Sequence, residues 1–317
     1  TGVKPLYIYT EKSRIFFSSE IKTFLSIPSF NKNIDYQSIH NYFKFNYIPI
    51  PNTIFSSVKH LDPGTYIKFS TKDLSSKVQK YWDISNDKEE KNDEKVILEK
   101  IDDVLNDAIR IRLRSDVEIG AFLSGGLDSS LVCSITKQNF NVSLNSFTIG
   151  FPEKRFDESG WAKKVAEINK IPNNISHLDA DIVSLWSKTT WFNDQPHGDI
   201  SFIPTFYLSK FASEEYKVVF TGDGGDEACG GYTKYYSVFD NDLKDYFDDI
   251  SLIKDDEEFN HLYSEDFIKK IDLNEPYEIF HDAVNNVSNK DKINKILYFD
   301  MKHLLPGNNL VKPDKMA

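Results

Sequence analysis

Phe122-Leu123-Ser124-Gly125-Gly126-Leu127-Asp128-Ser129-Ser130 sets the fold of this chain. It joins residues 117–123, a mostly apolar run short enough for a buried strand, to residues 131–137, which read as helix. At such a junction an anion can meet several backbone N–H groups and the positive end of a helix dipole. Gly125 and Gly126 permit positive φ and a close approach of backbone to oxygen atoms, while Ser124, Ser129 and Ser130 add hydroxyl donors. Asp128 would repel a bare phosphate, so its presence predicts that it holds Mg2+. The Lys of the Gly-x-x-x-x-Gly-Lys-Ser/Thr pattern is absent, which argues against a simple γ-phosphate hydrolase. A plain glycine turn is the alternative; the full match to Ser-Gly-Gly-x-Asp-Ser between strand and helix argues against it.

The periodicity around this loop predicts a parallel sheet with helices on both faces. Ile97, Ile101, Val104, Leu105 and Ala108 fall on one helical face upstream. Downstream come a second strand candidate at 146–151, a helix marked by Trp161, Val165 and Ile168, and a third strand at 217–220. Residues 232–303 are acidic and helical in flavour, with Phe239, Tyr246, Phe259, Phe267 and Phe280 as scattered anchors. The first eighty residues are β-rich instead. Residues 6–9 and 14–18 form a hairpin-like pattern, Ile39, Tyr42 and Phe43 mark a short helix, and Pro63-Gly64 turns into a strand ending at Phe69. The charged run 85–94 reads as a solvated linker, giving segments 1–84, 85–95 and 96–317.

With 317 residues, 40% of them hydrophobic and 14% aromatic, the chain can bury a sizeable core. Thirty-eight basic against 49 acidic side chains leave a net charge of −11, which argues against a nucleic-acid partner. No apolar run approaches the ~18–20 residues of a membrane span. Two cysteines, Cys133 and Cys229, make no disulfide framework and point to a cytoplasmic setting. Both read as core filling, not nucleophiles.

A second motif, Gly222-Asp223-Gly224-Gly225-Asp226-Glu227-Ala228-Cys229-Gly230-Gly231-Tyr232, follows the third strand. Its three carboxylates within five positions repel one another unless a cation or a ligand amine offsets them. An acidic glycine loop at a solvated surface is the plain alternative.

The first motif resembles the pyrophosphate loop of the ATP pyrophosphatases, and the two together resemble the synthetase domain of glutamine-hydrolysing asparagine synthetases. Gly2-Val3-Lys4-Pro5-Leu6-Tyr7 and Ser18-Ser19-Glu20-Ile21-Lys22 are similar to the last strands of that family's glutaminase domain. Tyr81-Trp82-Asp83, Ser146-Phe147-Thr148-Ile149-Gly150-Phe151, Ile203-Pro204-Thr205 and the segment from Leu305-Pro306 to Met316 also match. The resemblance implies a doubly wound α/β sheet of the adenine-nucleotide α-hydrolase type, preceded by the C-terminal β-strands of an α+β N-terminal-nucleophile glutaminase domain. It implies the substrates ATP, aspartate, and glutamine or ammonia, with Mg2+. Aspartate would attack the α-phosphorus to give β-aspartyl-AMP, and ammonia would then displace AMP. By carry-over, Leu123 and Ile149 line the adenine site, Thr221 and Gly222 the nucleotide's far side, and Ser124, Gly125, Gly126, Ser129 and Ser130 the phosphates. Asp128 and Asp226 hold the metal, and Asp223, where many members carry Glu, joins Asp226 in the chemical step. A homodimer is compatible with it. A different carboxylate acceptor, on a surface polysaccharide or peptide, stays open, as does ATP binding without turnover.

Thr1 invites an N-terminal nucleophile reading, but the family's nucleophile is a Cys far upstream of the Gly-x-Lys-Pro-Leu-Tyr strand. His177 and His197 read as structural or surface residues, His197 in a segment that borders the family's active site. The missing initiator Met and the absence of the family's later catalytic Lys segment lead to the expectation that the chain is a middle piece of a longer enzyme.

Overall fold

The computed structural model describes residues 2–73, 75–84, 93–178, 182–240, 242–254, 256–287 and 291–316. They form two compact units: Thr1–Lys88 with Thr190–Asp199 and Asp226–Lys315, and Glu89–Thr189 with Ile200–Gly225 and Met316–Ala317. Thr1 and most of the charged linker, residues 85–92, lie outside the described residues.

In the first unit, β1 (Tyr7–Glu11) and β2 (Arg14–Ser18) form the predicted hairpin, with Lys12 in the left-handed region at φ 48°. Alternation turns Tyr7 and Tyr9 of β1 inward onto Ile21, Phe24 and Phe30. Helix α1 (Tyr36–Phe45) starts at Asp35, whose side chain accepts from the Gln37 N–H, and stops at Asn46 with φ 68°. β3 (Val58–His60) pairs antiparallel with β1. β4 (Thr65–Phe69) and β5 (Ser76–Lys80) make a second hairpin, the first strand fed by the predicted Pro-Gly turn. Phe45 and Tyr47 join Tyr246, Phe280 and Phe299 in one aromatic core within this unit. Phe239 does not: it is 67% exposed.

A buried charge cluster ties distant parts of this unit together. The Asp194 carboxylate, fully buried, accepts from the Ile21 and Lys22 N–H groups at 2.9 and 3.1 Å, and from Lys22 Nζ and Lys315 Nζ at 2.9 Å each. Residues Asp300–Asn309 are wound as a π-helix, a rare geometry that recurs at functional sites.

The second unit carries the nucleotide-type sheet. Helix α2 (Glu94–Arg112) leads to β6 (Ile119–Phe122), α3 (Leu127–Phe140), β7 (Asn145–Gly150), α4 (Ser159–Asn169) and β8 (Asn173–His177). Then follow α5 (Ile182–Asn193), whose residues from Thr190 count with the first unit, α6 (Phe202–Ala212), β9 (Val218–Phe220) and the short α7 (Gly225–Cys229), of which only Gly225 counts with the second. All four strands are parallel in the order β8-β7-β6-β9. The order runs outward in one direction from β6 through β7 to β8 and then jumps back to β9 on the other side, so the sheet is doubly wound as predicted.

Three details depart from the sequence reading. The packed stripe of α2 is Leu105, Ile109 and Leu113, spaced i, i+4, i+8, and the predicted face is off by part of a turn: Val104 is 67% exposed. In α4 the small residues Ala162 and Ala166 are buried while Trp161 and Ile168 face solvent. Cys133 is in the core, where burial pushes its thiol up to about 12, whereas Cys229 is exposed, so the core-filling role expected of Cys229 is wrong. Among the described residues, no helix is long and apolar enough to cross a membrane.

Candidate functional site

In an open parallel sheet the loops that leave neighbouring strands on either side of the order reversal diverge, and the crevice between them receives the ligand. Here those strands are β6 and β9, and their loops are residues 123–126 and 221–224. The first motif and the opening residues 222–224 of the second therefore sit where the topology of this sheet builds a crevice.

The first loop is held from within. Leu123 is buried; its N–H donates to the Phe147 carbonyl at 2.9 Å and its carbonyl accepts from Thr148 Oγ1 at 2.6 Å. Gly125 has φ 87°, and a Cβ there would lie 2.5 Å from the Ala162 nitrogen, so only glycine fits against α4. The Gly126 N–H donates to Ser124 Oγ at 3.1 Å, and the Ser124 and Ser129 hydroxyls lie 3.0 Å apart. Ser130 Oγ is buried with no hydrogen-bond partner among the described residues. Gly126 is the N-cap residue of α3, and no side chain caps that helix, which leaves first-turn N–H groups for a ligand.

The second loop closes against the first. A Cβ on Gly222 would come within 2.7 Å of the Ser129 nitrogen, and one on Gly225 would overlap the Asp128 carboxylate. Asp128 is half-buried, and burial raises its pKa, a cost to the ionised form that a cation beside it would offset. Its hard oxygen donors fit Mg2+, which commonly takes one or two carboxylates and completes its shell with phosphate oxygens and water. Among the described residues, no group of three or more His, Cys, Asp or Glu is arranged to hold a metal.

The structure thus brings together Ser124, Gly125, Gly126, Asp128, Ser129 and Gly222, with Leu123 beside β7, the strand that carries half-buried Ile149, and Thr221 next to Gly222. Asp223 is exposed on the second loop. Asp226 belongs to the other unit, where its carboxylate packs so closely over Gly231 that a Cβ would overlap it.

Next to Asp226, Glu227 is fully buried, accepting from Tyr232 Oη at 2.8 Å and from Asn309 Nδ2. Burial and the Glu227 carboxylate together push the Tyr232 phenol well above its ordinary pKa, so it stays a donor. Asn308 Nδ2 reaches Asn309 Oδ1 at 3.0 Å and Asp199 Oδ2 at 3.4 Å, and Lys312 Nζ reaches the same Asp199 oxygen at 3.3 Å. His197 is 2% exposed in this neighbourhood, and burial pushes it down to about 4 against the pull of Asp199, so it is neutral at pH 7. Sequence reasoning gave Thr148, Glu227, Asn308 and Asn309 no individual role. Only Glu227 carried a signal, as the third carboxylate of its motif.

The chain matches the family model described as asparagine synthase over residues 100–317, and that of a glutamine amidotransferase domain over residues 1–82. It is 36% identical over 246 residues to a Methanocaldococcus jannaschii protein provisionally named a glutamine-hydrolysing asparagine synthetase, covering 76% of this chain and 47% of that one. It is 33% identical over 236 residues to asparagine synthetase [glutamine-hydrolyzing] 1 of Bacillus subtilis, covering 74% and 37%. The chain therefore spans less than half the length of these relatives. An NH3-dependent NAD synthetase from Campylobacter jejuni, 16% identical, aligns over 66% of this chain and 93% of that one with a TM-score of 0.34, too slight a likeness to argue from.

Proposed function

The chain belongs to the asparagine synthase family, and on that premise we propose that it binds MgATP on the 124–130 loop and serves the ATP-dependent amidation of aspartate to asparagine. The observation that carries this reading is the meeting of the Ser-Gly-Gly-Leu-Asp-Ser loop with the Gly222–Gly225 turn at the reversal point of the β8-β7-β6-β9 sheet.

In this reading Leu123 and Ile149 flank the adenine, and Thr221 and Gly222 line the nucleotide's far side. The N–H group at Gly125 and the first-turn N–H groups of α3, with Gly126 shaping the turn and the hydroxyls of Ser124, Ser129 and Ser130, hold the β- and γ-phosphates as they depart together. Asp128 would hold Mg2+, which when bound would supply positive charge to offset that of the pyrophosphate. An oxygen of the aspartate β-carboxylate bonds to the α-phosphorus as the bond to pyrophosphate breaks. Ammonia derived from glutamine then adds to the acyl carbon, Asp223 takes up a proton, and AMP leaves. Free Cys133 and Cys229 accord with the reducing cytoplasmic setting read from the sequence.

The test is formation of AMP and pyrophosphate from MgATP with aspartate, and ammonium chloride or glutamine as nitrogen source. Equal amounts of the two products that depend on aspartate support the reading. Product formed only with another carboxylate would replace the acceptor, and nucleotide binding without AMP would overturn the chemistry.

A further inference from the structure

Glu227 is 0% exposed, yet only one of its oxygens is bonded. Oε1 accepts from both Tyr232 Oη and Asn309 Nδ2, while Oε2 is buried with no partner among the described residues. The same hydrogen-bonded cluster leaves a second acceptor open. Asn308, 7% exposed, spends its NH2 group on Asn309 Oδ1 and Asp199 Oδ2, and its own Oδ1 receives nothing from the described residues. The bonds of the NH2 group fix the orientation of this amide, so the open atom is an acceptor and not a misassigned donor.

A buried carboxylate oxygen without a donor is destabilising, and more so than a neutral one. The cluster therefore lacks donors and positive charge. The lysines of this unit that reach its edges are committed: Lys312 bonds Asp199, and Lys234 bonds Asp300 at 2.6 Å. An ammonium group carries positive charge, three or four donors and no acceptor, which is the complement of what is missing. The two asparagines close the π-helix Asp300–Asn309, whose winding sets consecutive side chains, Asn308 and Asn309, into one cluster with Glu227.

We infer that Glu227 and Asn308 form a site for an ammonium group, taken either as ammonium ion or as the α-ammonium of the amino-acid substrate. The site rests on the proposed amidation, which needs both a nitrogen nucleophile and an amino-acid acceptor. Tyr232 and Asn309 position the carboxylate, and Glu227 Oε2 and Asn308 Oδ1 receive the N–H donors.

Thermal melting of the full chain tests this without turnover. Ammonium chloride is compared with sodium chloride at equal ionic strength, and aspartate with succinate, which lacks the amine. The wild type melts higher with ammonium or with aspartate than with its control, and the partner that acts identifies the source of the ammonium group. Glu227→Gln keeps an oxygen for Tyr232 and Asn309 but loses the charge and the open acceptor, and is expected to weaken that binding at least about tenfold with its unliganded melting little changed. Should Glu227→Gln fail to fold, Asn308→Ala decides, with the same direction expected. Undiminished binding in the variant that decides, or a wild type that responds to neither ligand, overturns the site. If the wild type makes no AMP, the amidation reading fails on its own, and the melting comparison still stands.

Discussion

The carboxylate of Asp128 lies directly over the α-carbon of Gly225, so closely that a methyl group on that residue would occupy the same space. Gly225 is not among the residues with positive φ, so its backbone would accept alanine, and the whole cost of a Cβ falls on where Asp128 can point. Gly225→Ala is therefore expected to leave melting nearly unchanged while displacing the carboxylate. The Mg2+ concentration needed for half-maximal AMP formation should rise by roughly tenfold or more, as it does when a ligand's support is lost. A Mg2+ titration of the variant that overlays the wild type would remove Asp128 from the metal site.

Asp128→Asn separates charge from shape. Burial raises the pKa of Asp128, so at pH 7 its ionised form is less favourable in the fold than in the unfolded chain, and the amide relieves that cost. Stability should hold or rise slightly, while pyrophosphate formation falls by orders of magnitude. Unchanged turnover would contradict the assignment of Asp128 to the metal.

Gly125→Ala acts on the fold as well as the ligand. The residue sits at φ 87°, and the nearest atoms to an added Cβ are the backbone nitrogen of Ala162 and the Cβ of Trp161, at 2.5 and 2.6 Å. Backbone cannot move aside as a flexible side chain can, so left-handed strain and overlap add. A loss of about 2–4 kcal/mol is expected, read as a lower denaturant midpoint at constant slope. A midpoint equal to the wild type's would mean that the loop can be rebuilt around a side chain.

The sequence was most legible where local chemistry and topology agree. The strand–loop–helix around residues 122–130 needs glycines, hydroxyls and an acid in one short stretch, and β6, α3 and their loop appear where periodicity put them. Strand β8 was missed, because Asn173-Asn174-Ile175-Ser176-His177 has no apolar run; it pairs only with β7 at the edge of the sheet and needs none. Strand β5, Ser76–Lys80, escaped for the same reason, being mostly exposed and paired to β4 alone. The Glu227 cluster was out of reach in another way. It joins positions 227, 232, 308 and 309, and its geometry depends on a π-helix, which a 3.6-residue hydrophobic period does not reveal.

Asp194 offers a stability test away from the nucleotide loop. Two lysines and two backbone N–H groups converge on its buried carboxylate, and the Lys315 side chain is only 2% exposed. Asp194→Ala leaves that ammonium buried without its partner, a situation that costs about 3–5 kcal/mol. Asp194→Asn still accepts from the Ile21 and Lys22 N–H groups and should lose less. Chemical denaturation that ranks the alanine variant above the asparagine variant would reverse this account.

The first unit should also lose stability as pH falls through the histidine range. His60 and His197, 6% and 2% exposed, are each pushed down to about 4, chiefly by burial, with Lys315 beside the first and Lys312 near the second. A histidine whose folded pKa lies below its unfolded value near 6.5 binds fewer protons in the fold. Its contribution is intact above about pH 6.5 and is lost progressively down to about pH 4. Each such histidine can cost up to about 3 kcal/mol across that window, from ~1.4 kcal/mol per pKa unit. Replacing both with glutamine, in His60→Gln and His197→Gln, removes two of the sites that must gain a proton to unfold the unit, while His303, also pushed down to about 4 by burial, and His40, lowered by burial, remain. The double variant should start less stable at pH 7.5 from lost packing, yet its stability should fall less steeply between pH 6.5 and 4 than the wild type's. Parallel stability curves over that interval would mean that these imidazoles are not the groups that titrate.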